Sequence, residues 1–309
     1  MELYPLKFIE STTGEKIAYR ESGSGETVLL LHGNMSSSVH WTKTMEVLEK
    51  EYHVFAPDLR GFGDSSYRKK ARVLRTYGRD IIAFMEALDL KDVHLVGWSA
   101  GGGVAMEVAA SNLGRKRVKD LIILSGVGVQ GTQDLKKNIL KHFPRMNHQF
   151  GMSGIKIPNI DPFTTIRSPF KKIQSNVSQE WNKYLVQGMW KYTIYNLNMP
   201  PKDEFDANIK ATMKQRNLKD ILQALQTFNI TDEGGEHPGT GRIHKLDLPI
   251  MWIHGEKDLV IPVDDAKFSR NFFPNKIHLK IFKHAGHSIM TDNLEVLTQL
   301  MKDFFKGII

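Results

Sequence analysis

Along the chain, the alternation of apolar and polar positions changes rhythm, and each rhythm predicts a different kind of element. Residues 1–22 alternate, with turn signals at Ser11-Thr12-Thr13-Gly14 and Gly23-Ser24-Gly25, which predicts an antiparallel hairpin. Short, nearly continuous apolar runs follow at Thr27–Leu31, Tyr52–Pro57, Val93–Val96 and Val118–Ser125, the pattern of strands buried on both faces. Helical stretches separate them: Val39–Lys50, Arg79–Leu88 with Ile81, Ile82, Met85 and Leu88 on one face, and a small-residue helix that runs through Ala110. Strands alternating with helices predict a mostly parallel sheet covered on both sides.

After Gly131 this rhythm breaks. Residues 132–241 hold many prolines and several helical stretches but no convincing buried strand. Gln179–Tyr192 places Trp181, Tyr184, Leu185 and Met189 on one face, and Leu218–Phe228 does so with Ile221, Leu225 and Phe228. The α/β pattern then resumes with strand Pro249–His254, helix Val263–Asn271, strand Lys276–Phe282 and a final helix Leu294–Phe305. The predicted organisation is a core built from 1–131 and 242–309. Residues 132–241 form a helical insertion over the carboxyl edge of its sheet.

Candidate chemistry is concentrated where the strand at Val93 meets its helix. Gly97-Trp98-Ser99-Ala100-Gly101 stands at that junction, with glycines two positions either side of the serine. A tight strand-to-helix turn lifts a serine hydroxyl clear of the sheet, and side chains at the flanking glycines would collide. The helix that follows aims free backbone N–H groups at the same point, where a developing oxyanion could be stabilised. Gly-x-Ser-x-Gly by itself arises in about one chain in ten of this length. Its setting between a clear strand and a clear helix is what makes it informative.

A serine hydroxyl becomes a useful nucleophile when a neutral imidazole takes its proton and an acid fixes the tautomer of that imidazole. Candidates lie at the ends of later strands. Gly255-Glu256-Lys257-Asp258 follows Ile250–His254, and His284-Ala285-Gly286-His287 follows the strand ending at Phe282. Asp258 and His287 give the order Ser, Asp, His; Glu256, Asp264, Asp265 and His284 are neighbouring alternatives.

Composition changes this picture little. At 41% hydrophobic and 25% charged, the chain has an ordinary globular balance. There is no cysteine, which excludes disulfides and thiol chemistry. The net charge of +8 is densest at Arg68-Lys69-Lys70-Ala71-Arg72 and Arg115-Lys116-Arg117. Neither patch is joined to stacking aromatics or a recognisable module, so a solvated basic face is expected and no nucleic-acid partner. Met1-Glu2-Leu3-Tyr4-Pro5 lacks the basic and apolar regions of a signal peptide, and no apolar run is long enough to span a bilayer. A cytoplasmic protein is expected.

The motifs Leu31-His32-Gly33-Asn34, Asp58-Leu59-Arg60-Gly61-Phe62-Gly63-Asp64-Ser65, Gly97-Trp98-Ser99-Ala100-Gly101-Gly102, His254-Gly255-Glu256-Lys257-Asp258 and Gly286-His287-Ser288 span nearly the whole chain outside the insertion. With them the sequence resembles the α/β-hydrolase superfamily. The resemblance implies an α/β-hydrolase fold, with a mostly parallel central sheet and an inserted helical cap. It also implies Ser99 as nucleophile, His287 as general base and then acid, and Asp258 as the orienting carboxylate. The backbone N–H groups of Asn34 and Ala100 would form the oxyanion hole. Some relatives take the acid from the preceding strand's end; here that place reads Ser125-Gly126-Val127-Gly128, without a carboxylate.

Asn after His-Gly and Trp before the nucleophile resemble haloalkane dehalogenases, and the charged loop from Asp58 to Asp64 resembles epoxide hydrolases. Both families attack with aspartate, whereas position 99 is serine. Carbon–carbon-bond hydrolases use serine, usually with Asn at the position of Trp98. Gly-Trp-Ser-x-Gly-Gly also resembles intracellular polyhydroxybutyrate depolymerases. The expected reaction is hydrolysis of a small-molecule carboxylic ester or oligoester through an acyl-enzyme. Acyl transfer, carbon–carbon cleavage and perhydrolysis are alternatives on the same triad, and a non-catalytic binding protein is the rival of another class.

Substrate-facing candidates are His40, Trp41 and Trp98 below, and Trp190 and Tyr195 above, with Trp181, Tyr184, Tyr192 and Met152 as further cap residues. His32 is expected to be a structural histidine. Gly126-Val127-Gly128-Val129-Gln130-Gly131 matches a dinucleotide-binding spacing but lacks the acid about 20 residues on. It is expected to be a flexible exit into the insertion. No metal, nucleotide or other cofactor is implied.

Overall fold

Val28 and Leu30 face one side of the central sheet and Leu29 and Leu31 the other, and all four are fully buried. Such a strand needs cover on both faces, and helices provide it. The computed structural model describes residues 1–131, 183–184, 186–273 and 277–309. Its strands are β1 (Lys7–Glu10), β2 (Lys16–Ser22), β3 (Glu26–Leu31), β4 (Tyr52–Pro57), β5 (Val93–Trp98), β6 (Val118–Leu124), β7 (Ile250–Gly255) and β8 (His278–Phe282). They form one eight-stranded sheet in the order β1-β2-β4-β3-β5-β6-β7-β8. Pairing is antiparallel from β1 to β4 and parallel from β4 through β3 to β8.

On one face, α2 (Leu74–Ala87), α3 (Ala100–Ala109) and α5 (Leu218–Gln226) pack Ile81, Phe84, Val104 and Ile221 against Leu29, Leu95, Ile123 and Trp252. On the other, α1 (Thr42–Leu48) and α7 (Leu294–Phe305) pack Met45, Leu48, Leu297 and Met301 among Val28, Val96, Ile122 and Met251. The same cluster includes Phe205 and Ile209 of α4 (Lys202–Thr212), together with Trp190 and Tyr195 from a π-helical turn at Trp190–Ile194. α6 (Val263–Ser269) follows β7. Between β6 and β7, the described residues from 186 onward contain no strand. Among the described residues no helix is long and apolar enough to cross a membrane.

Three local expectations change. The helix expected from Arg79 begins at Leu74, because Leu74 and Tyr77 already bury on the face that continues through Ile81 and Phe84. The helix expected over Val39–Lys50 is a 3₁₀ turn, Ser38–Trp41, followed by α1. The exit at Gly126–Gly131 is a packed turn, not a flexible one. Val127 and Val129 are fully buried, the Val127 N–H donates to the Ser99 carbonyl at 3.2 Å, and the Val129 N–H donates to the Ser269 hydroxyl at 3.1 Å.

Candidate active site

Ser99 occupies the turn between β5 and α3 with φ +56° and ψ −123°, a conformation unfavourable for a residue with a side chain. Close packing holds it there. A Cβ on Gly97 would strike the Gly101 carbonyl, and one on Gly101 would strike the carbonyls of Leu31 and His32. The Ser99 N–H donates to the Leu124 carbonyl at 3.0 Å, which ties the turn to β6. Ala100 opens α3, so its N–H is one of the first-turn donors that a helix leaves without an internal partner.

The loop after β3 lies directly on this turn. A Cβ at Gly33 would come within 2.7 Å of the Ser99 Cβ and 3.2 Å of its Oγ, so only glycine lets the Gly33–Asn34 peptide approach so closely. His32 braces the loop from beneath. Its Nε2 accepts from the Leu59 N–H at 2.9 Å, which leaves Nδ1 to donate to the Gly33 carbonyl at 2.8 Å. Full burial pushes the His32 pKa down, consistent with a neutral structural ring. Asp58 adds a second brace: its Oδ1 accepts from the Ser38 N–H at 2.7 Å and its Oδ2 from the Asp64 N–H at 2.9 Å.

Asp258 follows β7 and is buried, its side chain without solvent exposure. Oδ1 accepts from the Val260 and Ile261 N–H groups at 2.8 and 2.9 Å, which fixes the carboxylate plane. Oδ2 meets the Nδ1 of buried His287 at 2.7 Å. His254 stands 3.4 Å from the same oxygen. Its Nδ1 accepts from the Trp252 indole, so Nε2 carries the proton and donates to the Ile261 carbonyl at 2.9 Å. Burial alone would raise the Asp258 carboxyl. The facing His287, with hydrogen bonds from His254 and His287, outweighs burial and holds the carboxyl well below the usual carboxylate range.

The alternatives to these two residues stand elsewhere. Asp264 is 81% exposed and paired with Lys267, Glu256 is 44% exposed, and His284 faces solvent. Trp98 links the halves of the site: its indole N–H donates to the His287 carbonyl at 2.9 Å, and the two rings lie 5.4 Å apart. The strand that leads into Ser99 therefore grips the loop bearing His287 directly. Among the described residues no hydrogen bond joins Ser99 Oγ to His287, although such contacts are often loose before substrate binds.

His40, Trp98, Trp190 and Tyr195 form an aromatic stack beside the oxyanion loop. His40 lies on Trp190 with centroids 4.7 Å apart and planes 24° from parallel, and Trp190 continues to Tyr195 at 5.3 Å. The His40 Nδ1 accepts from the Ser37 N–H at 3.2 Å, and burial, with His32 nearby, drives its pKa down to about 3. Trp41 is fully buried behind, edge-on to Trp98 at 6.5 Å. Tyr184, expected in the pocket wall, is instead 59% exposed, as is compatible with its phenol reaching water. Trp181 and Met152 lie outside the described residues. Among the described residues no group of three or more His, Asp or Glu could hold a metal ion.

The α/β-hydrolase fold model matches residues 26–294. The chain belongs to the α/β-hydrolase family. Its relatives include a non-heme haloperoxidase from Rhodococcus erythropolis, 24% identical over 307 residues, which covers 98% of this chain and all of that one. Lipase 1 of Psychrobacter immobilis is 24% identical over 314 residues, covering 97% of this chain and 83% of the lipase. Among solved structures, an esterase from Exiguobacterium antarcticum superposes with a TM-score of 0.66 at 21% identity, covering 97% and 99% of the two chains. At such identities the structural match shows the shared fold. In this α/β hydrolase, sequence reasoning missed the contact between Trp98 and the His287 carbonyl. It also missed Thr212 and Gln215, which reach Met35 and Asn34 in the loop after β3, and Asn217, which bonds Gln215. A polar run after a helix looks like ordinary surface in a sequence.

Proposed function

We propose that the chain is a serine hydrolase that cleaves a small carboxylic ester or oligoester through an acyl-enzyme on Ser99. The observation that carries this reading is the buried 2.7 Å contact between His287 and Asp258, gripped by the residue before Ser99. Asp258 accepts a hydrogen bond from Nδ1–H, which keeps the proton on that nitrogen and leaves the Nε2 lone pair for the Ser99 hydroxyl. Ser99 then attacks the carbonyl carbon, and its proton passes to His287. The tetrahedral oxyanion is met by the N–H groups of Asn34 and Ala100. Collapse expels the alcohol, protonated by His287, and water activated by the same ring releases the acid. Residues 132–241 act as a cap, and His40, Trp41, Trp98, Trp190 and Tyr195 shape an apolar acyl site. The esterase and lipase relatives support ester chemistry.

A fluorophosphonate probe followed by peptide mass spectrometry is expected to place one adduct on Ser99. Ser99→Ala should abolish labelling and lower kcat on p-nitrophenyl esters by roughly 10⁴–10⁶-fold. Labelling that persists in the alanine variant would refute the assignment. A panel of esters of rising acyl length, run beside oligomeric hydroxyalkanoates, defines the substrate.

A further inference from the structure

The oxyanion loop bears backbone strain immediately after Asn34. Met35 sits at φ +55°, in the left-handed region that a non-glycine residue rarely adopts without outside support. The contact that holds it comes from α4. The hydroxyl of Thr212, 3% exposed, lies 2.7 Å from the Met35 carbonyl and 2.9 Å from the Asn208 carbonyl.

A second tie reaches Asn34 itself. Gln215 Nε2 lies 2.9 Å from Asn34 Oδ1 and 3.0 Å from Asn217 Oδ1. The direction of this relay follows from one group that cannot change roles. The Arg60 carbonyl can only accept, so the Asn217 nitrogen, 2.9 Å away, must face it. The Asn217 oxygen then faces Gln215, the Gln215 nitrogen faces both asparagines, and Asn34 must turn its oxygen toward Gln215. The orientation of the Asn34 amide is thus dictated from the loop after β4, through residues that follow α4.

We infer that Thr212 and Gln215 are positioning residues, which hold the Asn34 N–H where the tetrahedral intermediate needs it. The inference rests on the reading of Ser99 and Asn34 above. It assigns the segment after the cap's helix α4 a part in the rate of the chemical step, beyond the choice of substrate. A donor displaced by a fraction of an ångström stabilises the oxyanion less while leaving the bound ester almost untouched.

Thr212→Val removes the hydroxyl at nearly constant shape, Thr212→Ser keeps it, and Gln215→Met removes both donations at similar length. Each is measured for kcat and KM on p-nitrophenyl butyrate. A second measurement is the inhibition constant of an alkylboronic acid, whose adduct on serine carries an oxygen at the oxyanion position. Thr212→Val and Gln215→Met should lower kcat about ten-fold, with KM within about two-fold and boronate affinity falling in step with kcat. Thr212→Ser should restore kcat to within about three-fold of the parent. Melting temperatures identify folded variants, and the Thr212 pair serves if Gln215→Met does not fold. A folded Thr212→Val with unchanged kcat, a loss confined to KM, or failure of Thr212→Ser to restore activity would overturn the inference. If the parent forms no Ser99 adduct, the hydrolase reading fails and this inference falls with it. A normal parent with unaffected variants overturns the positioning role alone.

Discussion

Two histidine–carboxylate pairs sit at opposite ends of the same sheet, and their chemistry diverges because of what lies on the second ring nitrogen. At the carboxyl ends of the strands, His287 Nδ1 meets Asp258 at 2.7 Å, and among the described residues its other nitrogen has no carboxylate partner. At the amino ends, His94 Nδ1 meets Asp120 at the same 2.7 Å, but its Nε2 meets Glu26 at 3.1 Å. Both nitrogens of His94 are occupied by carboxylate oxygens, so none is left to take a proton from a substrate or a serine. Its ring also packs on Phe305 with centroids 4.3 Å apart. Asp120 itself is raised by burial, against the lowering effect of His94. A buried histidine–acid pair is therefore not a catalytic signature in itself. It becomes one when the distal nitrogen faces a nucleophile at the end of the sheet where loops open.

The largest expected effect separates the two pairs by function. His287→Ala should lower kcat by about 10⁴–10⁶-fold, as for a general base acting in a unit with its nucleophile. His94→Leu should leave kcat within about three-fold but destabilise the fold by about 3 kcal/mol, because it strands the Asp120 carboxylate in a buried site. Steady-state kinetics and urea denaturation on both variants check this. Comparable kinetic losses in the two would erase the distinction.

Asp258→Asn gives the next test. It keeps the shape of the buried group but favours the wrong tautomer of His287, and should lower kcat by about 10⁴-fold. Asp120→Asn at the other end should leave turnover near that of the parent. An active Asp258→Asn beside an inactive Asp264→Asn would relocate the acid.

The placement of Ser99, Asp258 and His287 after strands β5, β7 and β8 was legible because strong apolar patterns mark those strands and tight loops restrict the residue types that follow them. The sheet was legible for the same reason, since Val28–Leu31 and Leu121–Leu124 need cover on both faces. What was hidden depends on partners distant in sequence. Gly126–Gly131 reads as flexible from its glycines, yet the Ser99 carbonyl and the Ser269 hydroxyl both accept from its N–H groups and hold it in place. Thr212 and Gln215 look like helix-end surface until the fold sets them against Met35 and Asn34. The role of His94 was hidden likewise, because its carboxylates come from β3 and β6.

A third histidine sharpens the comparison, at a smaller scale and in stability instead of rate. Among the described residues His40 has no carboxylate partner, so burial prevails and its pKa falls to about 3. The unfolded chain takes up a proton on this residue near pH 6.5, while the folded chain does not until about pH 3. Between those values the unfolded state binds more protons, so stability must rise with pH and be lost as the pH falls. One such group contributes a slope of at most about 1.4 kcal/mol per pH unit. His40→Phe keeps a ring against Trp190 but cannot be protonated. It gives up the hydrogen bond from the Ser37 N–H, which shifts the whole stability curve without tilting it. His32, also lowered by burial, retains its own share of the slope in both proteins. Denaturation of parent and variant at matched ionic strength from pH 7 to pH 4 should therefore give converging curves, with the variant the flatter. Parallel curves would mean that His40 takes up its proton at the same pH in the folded protein as in the unfolded chain, and that an acid partner is not what distinguishes it from His287 and His94.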